Sequence, residues 1–154
     1  MKKDPWIIIV FILTFILSIL FIILLVTISL GVLFDLIGTA AITANEATFH
    51  ALNSKKIKGA KQGITIVKNN NKISSICNDI VGDICGIISG SIGAILAISL
   101  STTTGINSTV VSVVLAAFIS AFTVGGKALL KKVAINHADN IVLSISKILA
   151  VFEK

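Results

Sequence analysis

The sequence predicts an all-α integral membrane protein with three transmembrane helices, the first one long or kinked, and three observations carry that prediction. The 154 residues are 55% hydrophobic and 13% charged, with a mean hydropathy of +1.04, which is not the balance of a water-soluble domain. Trp6 to Phe34 contains no ionisable group. As a helix that run spans roughly 43 Å, more than the roughly 30 Å hydrocarbon core of a bilayer. Two further apolar segments, Ile73 to Leu100 and Thr109 to Val124, flank the polar stretch Ser101 to Ser108, which reads as a tight turn. A cleaved signal peptide does not fit, because its apolar region is only about 7 to 15 residues long.

Residues 1–154 read as one transmembrane domain, with spans at about 6–44, 73–100 and 109–126. The first span carries Asp35 alone. It is too long for one straight crossing and barely long enough for two, so Gly31 and Gly38 are the expected kink sites, and a hairpin here would move only the amino-terminal side. Lys55, Lys56, Lys58, Lys61, Lys68 and Lys72 then fall between Asn53 and Lys72 without one acid, which marks a basic cytoplasmic connection. Ala47 to Val67 within it reads as a connecting helix on the membrane surface. The second span holds Asp79 and Asp83, and Gly125-Gly126 is the expected end of the third. From Ala138, Ile141, Val142, Ile145, Ile148, Leu149 and Phe152 recur at intervals of three and four, the pattern of an amphipathic juxtamembrane helix at about 138–152. With Lys131, Lys132, Lys147 and Lys154 nearby it is expected on the cytoplasmic interface. Three crossings put the amino terminus outside and the carboxyl terminus in the cytoplasm of a multi-pass plasma-membrane protein.

The charge balance excludes several functions. All 13 basic residues are Lys, and they lie beside apolar spans rather than on a soluble basic face, so nucleic acid is not the expected partner; the lipid bilayer is. Cys77 and Cys85 lie about 12 Å apart along a helix axis, too far for a bridge within it, and read as small core residues. Neither a zinc spacing nor a nucleophile triad, phosphate loop or dinucleotide fingerprint occurs, and no enzyme activity is expected. His50 and His137 flank apolar segments, and a ligand role for them is the weaker reading.

Asp35, Glu46, Asp79 and Asp83 lie in or beside apolar segments, where a charge costs on the order of 3 kcal/mol at the bilayer centre. On a helix, Asp35, Thr39, Ile42 and Glu46 form a stripe. Asp79 and Asp83 share a face with Gly82, Gly86, Gly90 and Gly93. The glycines permit close helix approach, with Ser112, Ala116 and Ser120 as expected partners on the third span. The acids need a proton, a cation or a counter-charge, and only Lys72 could snorkel toward Asp79. Oxygen ligands without a soft donor suit magnesium or sodium. Thr43, Asn45, Glu46, Asn78, Asp79 and Asp83 are therefore the candidate metal ligands. Carboxyls that are merely protonated, or capped by Lys72, and fix helix register are the simpler alternative.

Several of these residues carry a resemblance. Thr43-Ala44-Asn45-Glu46-Ala47-Thr48-Phe49-His50-Ala51-Leu52, followed by the basic Ser54 to Lys61, resembles the end of the first span in the transmembrane domain of cyclin-M/CorC-type magnesium and cobalt transporters, where a Ser-x-Ser-Glu motif stands. Asn71-Lys72-Ile73-Ser74-Ser75-Ile76 is similar to that family's second-span start, and Asn78, Asp79 and Asp83 stand near its polar Asn positions. Gly126-Lys127-Ala128-Leu129-Leu130-Lys131 is similar to the Gly-Glu-x-x-Pro-Lys motif after the third span. The likeness runs from roughly Leu36 to the end. It implies a homodimer whose motif residues bind the transported cation. Thr43 and Asn45 replace the two motif Ser, Lys127 replaces a Glu and Leu130 a Pro, and Asp79 and Asp83 are the residues that could compensate. The family's nucleotide-binding CBS domains find no counterpart before Lys154, so the resemblance implies regulation by a separate protein or none. The expected function is membrane transport or binding of magnesium or another cation. The alternative is a non-transporting membrane interaction subunit or a holin-like pore former, which would not need four acids on or beside its spans.

Overall fold

A computed structural model describes residues 5–152. It contains α1 (Pro5–Thr43), α2 (Glu46–Ser54), α3 (Ala60–Lys68), α4 (Asn70–Ser75), a π-helical segment (Ile76–Val81), α5 (Gly82–Thr104), α6 (Ser108–Asn136) and α7 (Ala138–Phe152). No strand occurs among the described residues. Three helices are long and apolar enough to cross a membrane: Trp6–Thr43, Asn70–Thr104 and Ser108–Asn136.

The first span is a single helix of 39 residues, so neither Gly31 nor Gly38 breaks it. Both serve close approach instead. A Cβ on Gly31 would lie 3.1 Å from Cys85 Cβ, and one on Gly38 would fall on the Asn78 side chain. These two pairings run in opposite chain directions and set α1 antiparallel to α5. The third long helix lies alongside both, with Gly126 against Val32 of α1 and Ile119 against Gly93 of α5. Leu24, Ile28 and Val32 of α1 bury against Ile92 and Leu96 of α5, with Leu115 and Ile119 of α6 packed on them. Side chains from Trp6 to Ile16 are outward and exposed along α1, as a lipid-facing surface requires.

Gly125-Gly126 does not end α6, which runs on to Asn136. Each glycine costs a helix only about 1 kcal/mol relative to Ala, and the following Lys-Ala-Leu-Leu-Lys-Lys is strongly helix-forming. The turn before α6 is likewise shorter than Ser101 to Ser108. Ser101 to Thr104 remain helical, and Gly105, at φ 70, closes α5 by donating its N–H to Ser101 O. Asn107 then caps α6, its side chain accepting from Thr109 N.

The basic connection departs from one continuous helix over Ala47 to Val67. It breaks between α2 and α3, where Lys56 has φ 55 and Gly59 φ 88. Gly59 has a second constraint: a Cβ there would lie 2.8 Å from Lys147 N of α7. The apolar face of α3 consequently turns inward. Phe49, Ile66, Val67, Ala134 and Val142 form, with Ala40, Ala41, Ala44 and Ala138, a second core that ties α2, α3 and α7 to the ends of α1 and α6. The amphipathic α7 is present as expected, but Val142 and Ser146 on it are fully buried, whereas Ile148, Leu149 and Val151 are exposed. Every Lys among the described residues lies in this capped half, from Lys55 to Lys72 and from Lys127 to Lys147.

Candidate functional site: a polar junction of three spans

Above the apolar core the three long helices meet at polar residues. Asp35 is the one acid of α1 and Lys127 the first Lys of α6, and they form an ion pair, Lys127 Nζ to Asp35 Oδ1 at 3.6 Å, with side chains 33% and 19% exposed. The junction is completed from α5, because a Cβ on Gly82 would sit 3.6 Å from Lys127 Nζ. One turn before Gly82, Asn78 lies in the π-helical segment. Gly38, one turn beyond Asp35, leaves the space that the Asn78 amide occupies. Asn78 Nδ2 donates to Ser74 Oγ at 3.2 Å, while its Oδ1 is buried with no hydrogen-bond partner. Such an orphan acceptor is costly, on the order of 1–3 kcal/mol.

The π-helical segment accounts for the placement of Asn78, Asp79 and Asp83. An i→i+5 turn holds an extra residue and shifts all later side chains around the helix, and such bulges recur at functional sites. Asp79 accepts from Ser75 Oγ at 2.8 Å. It and Asp83 are exposed side chains on a candidate span, and neither forms an ion pair among the described residues. Lys72 is exposed and does not reach Asp79, so capping by Lys72 is not what occurs.

Thr43, Asn45 and Glu46 have other duties. Thr43 Oγ1 donates to Thr39 O at 2.8 Å. Asn45 caps α2, its side chain accepting from Ala47 N at 2.9 Å, and its own N–H donates to Asp139 Oδ1 at 2.8 Å. Glu46 pairs with His50 Nε2 at 3.1 Å and Lys68 Nζ at 3.8 Å. Thr43 and Asn45 line a recess with residues from Ile135 to Asn140, at the joint between α6 and α7. The six candidate ligands therefore divide between a helix joint and the π-helical face, and no group of three or more His, Cys, Asp or Glu gathers to hold a metal ion among the described residues. Asp35 and Lys127, which were not among them, form the central contact. The sequence signal for that pair is that Asp35 is the one acid of its apolar helix and Lys127 the first charge after the apolar stretch of α6.

The expected glycine contact with the third span is only partly made. Gly93 meets Ile119, but a Cβ on Gly86 or Gly90 would touch nothing within 4 Å. These glycines and Ser112, Ala116 and Ser120 face one another across an open groove of about 460 Å³. Comparison with protein-family models, curated proteins and solved structures returns no match.

Proposed function

We propose that the chain binds and moves a hard cation, magnesium or alternatively sodium, across the cell membrane, as its resemblance to the cyclin-M/CorC transmembrane domain implies. In this reading it works as a homodimer with its carboxyl terminus in the cytoplasm, and any regulation comes from a separate protein. The observation that carries the reading is that Asp79 and Asp83 are exposed carboxylates on a candidate span, one turn apart, and neither forms an ion pair among the described residues. Two carboxylates on a lipid-crossing helix need neutralising, and one divalent ion offsets both. Magnesium keeps several waters and takes one or two carboxylates, so it does not need a cluster of three acids. A second copy could cover the acids and bring its own oxygen ligands to them.

Flux into proteoliposomes carrying a magnesium-sensitive dye tests this: wild type should admit magnesium and Asp79→Asn/Asp83→Asn should not. Equal flux through both would end the reading. Orientation is tested separately, in a background without Cys77 and Cys85. A cysteine at Asn107 should react with an impermeant reagent added outside intact cells and one at Lys58 should not. The open groove along Gly86 and Gly90 favours a second reading, a non-transporting membrane subunit or pore former. No magnesium flux, together with stable assembly that Gly86→Leu abolishes, would favour it.

A further inference from the structure

We infer that the α2–α3 turn and the last turns of α7 form one surface that binds anionic phospholipid headgroups at the membrane edge, a role beyond the cation reading above and independent of it. Five lysines make this surface. Lys55, Lys56, Lys58 and Lys61 are exposed on the turn and at the start of α3. The fold adds exposed Lys147 from α7, because the turn lies on the α7 backbone: a Cβ on Gly59 would be 2.8 Å from Lys147 N and 3.0 Å from Ser146 C. None of the five forms an ion pair among the described residues. The one acid of α2, Glu46, is taken by His50 and Lys68, and the one acid of α7, Asp139, accepts from the Asn45 N–H. α3 has no acid. The positive charge gathered here is therefore uncompensated within the chain, and it suits an anion.

The turn is also pre-shaped. Lys55 N–H donates to Ala51 O, Lys56 N–H to Asn53 O, Ile57 N–H to Leu52 O and Ala60 N–H to Ile57 O. A fixed backbone leaves only the lysine side chains to be ordered on binding. Two observations select a lipid over a soluble polyanion. Exposed apolar side chains accompany the lysines: Ile57 on the turn, and Ile148, Leu149 and Val151 just after Lys147. Lysines beside apolar side chains are the composition of an interfacial surface. α7 also lies where the apolar zone ends. Its Ile141 and Ile145 line a shallow recess with Leu33, Leu36 and Ile37 of α1, the level at which α1 carries its one charge, Asp35, paired with Lys127 of α6.

Native mass spectrometry of the full-length protein, titrated in detergent with phosphatidylglycerol or phosphatidylcholine, tests this surface. Wild type should bind phosphatidylglycerol at least about tenfold more tightly, since each lysine near an anionic lipid contributes. Lys55→Gln/Lys58→Gln/Lys147→Gln should lose most of that preference. Lys72→Gln/Lys131→Gln/Lys132→Gln, with the same change of net charge, should keep phosphatidylglycerol binding within about twofold of wild type. No preference in wild type, an undiminished preference in the first variant, or equal loss in both variants would overturn the inference. Amine labelling of wild type in nanodiscs needs no variant to fold. Adding phosphatidylglycerol to phosphatidylcholine discs should lower modification of Lys55, Lys58 and Lys147 at least about twofold more than that of Lys131, and an equal change at all four would overturn the inference as well. The cation reading stands or falls separately, since Asp79 and Asp83 take no part in this surface.

Discussion

Two sets of glycines in this protein meet opposite surroundings. In the capped half, a Cβ on Gly63 would overlap the ring of Phe49, itself fully buried, and one on Gly59 would press on the α7 backbone. On the outer face of α5, Gly86 and Gly90 would meet nothing. The same residue type marks completed packing in one region and an open face in the other. Small-residue spacing permits close backbone approach but does not say that the approach is made within the chain. The capped half is satisfied by its own sequence, whereas the α5–α6 face keeps its groove.

The largest effects should come from filling the closed set. Gly63→Ala should lower stability by about 3 kcal/mol through overpacking against Phe49, read as a fall in the thermal midpoint followed by circular dichroism. Phe49→Leu in that background should recover part of the loss, since contacting sites couple. A Gly63→Ala protein as stable as wild type would break the contrast.

Gly38→Ala should cost about 1–2 kcal/mol, because the added methyl must push aside the Asn78 amide. The same variant should weaken any magnesium-dependent stabilisation, which a purely apolar clash elsewhere on α1 would leave unchanged.

The smallest effects belong to the open face. Gly86→Ala and Gly90→Ala should leave the midpoint unchanged or raise it, by up to about 1 kcal/mol of helix propensity. Gly86→Leu should also fold normally as a single chain. If the groove is where two copies meet, native mass spectrometry should show that variant shifted from dimer to monomer. Loss of folding in Gly86→Ala would mean that the groove is closed within the chain.

The three long helices, the amphipathic α7 and the Lys-rich connection were legible in the sequence because each rests on local composition or a 3.6-residue period. The break at Lys56 and Gly59 was not, since it depends on where the α7 backbone lies. Nor was the persistence of α6 through Gly125-Gly126, where the strong helix formers that follow outweigh two glycines. The candidate site was half legible. Asn78, Asp79 and Asp83 were marked by polarity in an apolar run, but the π-helical segment that orients them leaves no periodic trace. Thr43, Asn45 and Glu46 drew attention for the same reason, yet at the end of a helix polar residues also cap and pair, which is what Asn45 and Glu46 do. The pairing of Asp35 with Lys127 joins two charges far apart in the chain, and only the packing of the spans brings them together.

The central claim is that Asp79 and Asp83 hold a hard cation, and equilibrium binding tests it most directly. Isothermal titration of magnesium into the purified full-length protein in detergent should show saturable binding to wild type and none to Asp79→Asn/Asp83→Asn that still folds. Undiminished binding to the double variant, or no binding of magnesium or sodium to wild type, would contradict the account.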